Sequence, residues 1–165
     1  MTTGTPVSVE DYLRNSYEPN CEYIDGLLVP KAMGTKKHGR LQHRIAILIE
    51  TAFPHYETTP EFTVRISEGK YLVPDVSVEL RDNSQDPYAV LPIHLCIEIL
   101  SPDDRLKAVL TKCEDYHTWG TIHTWVIDPV NQKAWQYTKG DEPREVRELR
   151  AGDIHLQVSD LFGAN

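Results

Sequence analysis

The chain predicts a single α/β domain over residues 1–165, built on a mixed central sheet flanked by helices, with β-hairpin additions. Three observations predict it. Apolar periodicity alternates in the order helix, strands, helix, strands, helix, strands, which suits a sheet covered by helices. The run Ile93 to Leu100, broken only by His94 and Glu98, has the character of a central strand buried on both faces. From that run through a helix to Thr121–Asp128, the chain has the length of a right-handed βαβ crossover, which calls for a parallel strand pair.

Each element has a local reason. Ser8 to Tyr17 reads as an opening helix, with Ser8 as cap and Asp11 three residues on, as in a capping box. Cys21 to Lys31 reads as a hairpin turning at Asp25-Gly26, a pair that tolerates positive φ. Lys37 to Phe53 is the first long helix, because Leu41, Ile45, Leu48 and Ala52 fall on one stripe and Pro54 stops it. Thr58–Ile66 and Tyr71–Leu80 read as two strands around the turn Ser67-Glu68-Gly69-Lys70. Asp82–Pro87 is a polar loop. Ser101-Pro102-Asp103 opens a second long helix to about Trp119, with Pro102 suited to its first turn. Thr121–Asp128 and Lys133–Thr138 flank a turn, Arg144–Leu149 reads as an edge strand, and a short tail carries Leu156, Val158 and Leu161.

The bulk numbers restrict the function. With 40% hydrophobic and 25% charged residues, a sizeable core is expected and extensive disorder is not. Seventeen Lys and Arg against 25 Asp and Glu leave a net charge of −8, so phosphate binding needs a local basic patch or a bound cation. Lys31, Lys36, Lys37, Arg40 and Arg44 cluster around the first long helix beside His38. Lys37 and Arg40 are the candidates for phosphate contact there, helped by the helix N-terminus, and a solvated face is the plain alternative. Cys21, Cys96 and Cys113 are odd in number and lack a CxxC pair, which suits a reducing cytoplasm. No apolar run approaches the ~20 residues of a membrane span, and Met1–Pro6 lacks the regions of a leader. The expectation is a cytoplasmic protein with no membrane partner.

The chemistry is carried by charge where a core disfavours it. Asp75 follows Pro74 among Val73, Val76 and Val78, and Glu98 lies between Ile97 and Ile99. A buried carboxylate without a partner costs several kcal/mol or takes up a proton. A divalent cation satisfies several carboxylate oxygens at once. Singly, Asp75 is more often a strand-end or turn residue that bonds backbone amides, and Glu98 could pair with an arginine or point outward from an edge strand. On adjacent strands, 23 positions apart, the two suggest a metal site.

Val73-Pro74-Asp75-Val76 followed by Cys96-Ile97-Glu98-Ile99-Leu100-Ser101-Pro102 resembles the PD-(D/E)xK nuclease core. More narrowly, the chain resembles the Uma2 family (DUF820) of restriction endonuclease-like proteins. The likeness extends through Glu22-Tyr23-Ile24-Asp25-Gly26, His38-Gly39-Arg40-Leu41, Glu98 to Arg105, Lys112 with Tyr116, and Gly120 through Pro129. It implies a restriction-endonuclease-like fold and metal-dependent hydrolysis of phosphodiester bonds in DNA. Mg²⁺ or Mn²⁺ would be held by Asp75, Glu98 and the carbonyl of Ile99. Leu100 stands where the general motif has its lysine, and the resemblance implies that Lys112 on the following helix takes that catalytic place. Arg105 and Lys107, nearer the loop, are alternatives. Tyr116 shares a helix face with Lys112, and Glu22 and His38 are supporting candidates. A homodimer is a further implication. Two other functions fit the residues: a nuclease scaffold without turnover, and an interaction protein whose Trp119, Trp125, Trp135 and Tyr137 line a partner surface.

Overall fold

Ser8 caps the first helix, but a bond between the two side chains replaces the reciprocal backbone bond of the expected capping box. The Asp11 amide donates to Ser8 Oγ (3.1 Å), and the Ser8 hydroxyl donates to the Asp11 carboxylate (2.8 Å). This helix, α1 (Val9–Arg14), is shorter than expected, because Asn15 Nδ2 donates back to the Asp11 carbonyl and closes it. The computed structural model describes residues 5–163, so the reading of Met1–Pro6 falls mostly outside it. Strands β1 (Cys21–Ile24) and β2 (Leu27–Pro30) form the expected hairpin, with Asp25 and Gly26 both at positive φ. Helix α2 (Lys36–Ala52) buries Leu41, Ile45 and Ile49. Full burial of each such side chain contributes about 1.5–3 kcal/mol. The buried stripe runs through Ile49, with Leu48 only partly buried and Ala52 exposed, which corrects the expected one.

The two strands expected at Thr58–Ile66 and Tyr71–Leu80 are each broken in the middle. The first gives β3 (Tyr56–Pro60) and β4 (Val64–Ser67), and the second gives β5 (Lys70–Leu72) and β6 (Val76–Leu80). Pro60 faces Val76 and Val64 faces Leu72, so one hairpin register holds on both sides of the break. It is a single hairpin bent across two sheets. The bend forms where Pro74 has no N–H for the ladder and where Glu61 takes a φ of +52°, rare for a residue with a side chain. Both Asp75 and Glu61 lie in the bend.

The remaining strands are β7 (Leu95–Ile99), β8 (His123–Asp128), β9 (Lys133–Thr138), β10 (Arg144–Val146), β11 (Glu148–Ala151) and β12 (Ile154–Gln157). The main sheet is six-stranded and mixed, in the order β10-β9-β8-β7-β6-β3, with β7 and β8 parallel. Helix α3 (Leu106–Trp119) makes the connection between them. A second sheet has the order β2-β1-β5-β4. The expected helix start at Ser101–Pro102 is corrected to Leu106: the Ser101 amide donates to the Asp104 carboxylate (2.7 Å), so residues 101–105 form a turn. The expected edge strand Arg144–Leu149 is divided between β10 on the main sheet and β11, which pairs with β12 in a hairpin turning at Gly152 (φ +63°). The tail ends in helix α4 (Val158–Phe162), which buries Val158 and Leu161.

Strand β7 distributes its side chains by simple alternation. Leu95, Ile97 and Ile99 enter the core with α2, β11, β12 and α4, while Cys96 packs with Tyr116 of α3 on the other face. Glu98 therefore faces α3. Trp125 is fully buried, with its indole N–H donating to the Arg150 carbonyl (3.1 Å), so it is not available for a partner surface. Trp119 and Trp135 are half-buried. All three cysteines are buried and free. No helix among the described residues is long and apolar enough to cross a membrane.

Candidate active site

A cleft of about 390 Å³ opens at the C-terminal end of β7, between the β2–α2 connection and the start of α3. Its walls carry Glu22, Lys31, His38, Asp75, Glu98 and Lys112. Each reaches it for a local reason: Glu22 from β1, Glu98 from the α3 side of β7, Asp75 from the bend, and Lys112 from the second turn of α3.

Glu98 and Glu22 share one ammonium. Lys112 Nζ lies 2.9 Å from Glu98 Oε1 and 2.5 Å from Glu22 Oε1. The Tyr116 hydroxyl also donates to Glu98 Oε1 (2.6 Å), and the Val73 amide donates to Glu22 Oε1 (2.9 Å). Burial pushes the Glu98 carboxyl up to about 7, Lys112 opposing this and Asp75 adding to it. Burial would lower the Lys112 ammonium, but Glu98 and Glu22 reverse this and raise it.

Asp75 anchors the second half of the site. Its Oδ2 accepts from the Ile99 amide (2.7 Å), which ties the bend to the end of β7. Its Oδ1 accepts from Lys31 Nζ (2.8 Å) and lies 3.3 Å from His38 Nε2. Burial would raise the Asp75 carboxyl, but the His38 contact and the Lys31 charge hold it well below the usual carboxylate range. The Asp75 hydrogen bond in turn raises His38, against burial. Glu61 completes the group. Its carboxylate accepts from Lys31 (2.8 Å) and from Gln42 (3.0 Å), and Gln42 also donates to the Asp75 carbonyl (2.8 Å).

A His38 nitrogen and carboxylate oxygens of Glu61 and Asp75 all lie within 4.8 Å of one another. The carboxylate oxygens of this group are hard donors of the kind divalent cations take, and the His38 imidazole adds a softer nitrogen. When ionised, Glu22, Glu61, Asp75 and Glu98 outnumber Lys31, Lys112 and a protonated His38 by one, so the site carries a small excess of negative charge. Ser101 also lines the cleft, with its Oγ buried and without a hydrogen-bond partner.

Of the residues singled out in the sequence, Asp75, Glu98, Ile99, Lys112, Glu22, His38 and Tyr116 come together here. Lys37 and Arg40 stay exposed on the first turns of α2 and do not line the cleft. Arg105 and Lys107 are exposed and do not line it either, so Lys112 alone of the three meets Glu98. Glu61, Gln42 and the placement of Lys31 against Asp75 were missed. Glu61 had no signal beyond a glutamate after Pro60, and its role depends on the bend.

Glu98 gives a test in pH. Its folded value of about 7 lies above the ordinary 4.5, so the folded protein holds a proton that the unfolded chain releases between these values. Stability should therefore fall as pH rises from about 4.5 to 7, by on the order of 3 kcal/mol at most. Glu98→Gln should flatten that part of a urea-unfolding profile. An unchanged slope would mean that Glu98 ionises normally in the fold.

A solved structure resembles the fold over nearly the whole chain. The crystal structure of "a putative nuclease belonging to DUF820" from Anabaena variabilis is 25% identical, covers 95% of this chain and 98% of its own, and superposes with a TM-score of 0.80. A cryo-EM structure of a DrdV–DNA complex is 12% identical over 76% of this chain and 12% of its own, with a TM-score of 0.41. No curated protein matches the chain. The Uma2 family, described as "Putative restriction endonuclease", matches residues 9–164, and the chain belongs to that family.

Proposed function

We propose that the protein is a metal-dependent endonuclease that hydrolyses phosphodiester bonds in DNA. The observation that carries this reading is the convergence of Asp75, Glu98, Glu61 and His38 with Lys112 in one cleft. Asp75 and Glu98 would hold Mg²⁺ or Mn²⁺ together with the Ile99 carbonyl, and Glu61 and His38 extend the donor set around Asp75. The metal, when bound, supplies a water of lowered pKa and neutralises charge on the phosphoryl oxygens.

The chain's own residues do the positioning. The Ile99 amide fixes one oxygen of Asp75, which leaves the other directed at the cation-binding group. Tyr116 and Lys112 fix Glu98 in the same way. Lys112, held between Glu22 and Glu98, presents its charge to the negative charge that develops at phosphorus. Lys37 and Arg40, exposed beside His38, would contact the phosphate backbone and offset the net charge of −8.

Calorimetric titration of Mn²⁺ and Mg²⁺ into wild type and Asp75→Asn/Glu98→Gln, followed by plasmid nicking on the same samples, tests the proposal. Saturable binding and nicking are expected in wild type and neither in the double variant. Equal binding by both proteins would remove the metal site. Binding without nicking of DNA would leave a nuclease-fold scaffold.

A further inference from the structure

Lys31 stands at the end of the edge strand β2, with its backbone amide donating to the Asn20 carbonyl (2.8 Å). Its side chain is only 13% exposed. The ammonium makes three contacts, to Glu61 Oε2 (2.8 Å), Val73 O (2.7 Å) and Asp75 Oδ1 (2.8 Å). An ammonium has three N–H donors, so its whole hydrogen-bonding capacity is spent on these oxygens. Two carboxylates and a backbone carbonyl are also the donor types that a hard divalent cation takes. Two of the three, Asp75 and Glu61, belong to the cluster with His38 described above.

We propose that Lys31 is a tethered cation that neutralises the site before metal arrives, and that a divalent ion must displace its ammonium from Asp75 and Glu61. This rests on the reading of those two residues as metal ligands. Two cations cannot both hold the same carboxylate oxygens at contact distance without strong repulsion. The exchange needs no strand movement, because a lysine head on a four-carbon stem can swing while its backbone stays paired. Ala32 to Thr35, which follow it, are exposed and line the cleft mouth, so the displaced head has solvent and substrate space beside it. The same device explains how the fold tolerates a dense carboxylate group in the absence of metal. The cost is that the intrinsic metal affinity of the oxygens is reduced by the contacts that must first be broken.

The test is Mn²⁺ calorimetry on the full chain as wild type, Lys31→Met and Lys31→Arg, with unfolding temperatures measured with and without Mn²⁺. Lys31→Met should bind Mn²⁺ roughly tenfold more tightly than wild type. It should also melt lower without metal and show a larger rise in melting temperature when Mn²⁺ is added. Lys31→Arg keeps the tethered charge and should stay near wild type. Lys31→Gln replaces the methionine variant if that one does not fold. Wild-type binding with equal or weaker binding in Lys31→Met would overturn the displacement role and leave the metal site standing. Binding by Lys31→Met alone would support it in its strongest form. Absence of Mn²⁺ binding in every variant would overturn both this role and the metal site.

Discussion

Lys112→Met should cost about 3 kcal/mol of stability and reduce nicking by roughly 10²–10³-fold. The stability loss follows from the partners left behind. Glu22 and Glu98 are largely buried, their side chains 10% and 7% exposed, and both depend on the one ammonium. Without it, Glu22 keeps the Val73 amide and Glu98 keeps the Tyr116 hydroxyl, but no positive charge among the described residues remains within contact of either. The figure is taken at the low end for a broken buried pair because the site borders a cleft. A second substitution separates the two effects. Lys112→Met with Glu22→Gln removes one orphaned charge and should recover much of the stability in urea melts while nicking stays low. Recovery of both together would make Lys112 a structural residue and return the catalytic lysine to another position.

If Asp75 is the metal ligand proposed above, Asp75→Asn should abolish nicking and weaken Mn²⁺ binding by about 100-fold or more, because a carboxylate oxygen and its charge are lost together. The fold has a defined reason to survive the change. An asparagine oxygen can still accept from the Ile99 amide, which keeps the bend tied to β7. What is lost is the acceptor for Lys31 and His38, at about 3 kcal/mol near neutral pH. The pH dependence gives an independent readout. Asp75 is depressed in the fold below its ordinary 3.8, so its contribution is present above that value and disappears as pH falls. His38 is raised above 6.5, so the stability from its contact with Asp75 is present below that value and is lost as pH rises through the folded pKa. Asp75→Asn should therefore lose less stability than wild type on acidification. Its His38, followed by NMR titration, should fall back toward 6.5. A His38 titration unchanged by the substitution would mean that the two side chains do not meet in solution.

Much of this organisation was legible in the residues. The apolar run around Glu98, the Val-Pro-Asp segment and the apolar stripe of α2 are local patterns. Period and burial preference were enough to place Glu98 on a central strand, Lys112 on the helix after it, and the hairpin turn at Asp25-Gly26. The helix start at Leu106 was not legible, because the Asp104 carboxylate captures the Ser101 amide and overrides the preference of Pro102 for a first turn. The end of the chain was also obscured. Arg144 to Leu149 reads as one extended run, and only the pairing of β11 with β12 divides it.

The sequence alone was therefore sufficient for the α/β class, the order of the main elements and the candidate pair Asp75 and Glu98. It could not reveal that one hairpin bends across two sheets. That bend brings Glu61 beside Asp75 and lets Lys31, just past the end of β2, reach both. Periodicity reports which face of its own strand a residue occupies, whereas the meeting of Lys31, Glu61 and Asp75 depends on three segments separated by 30 and 44 positions and joined by tertiary packing.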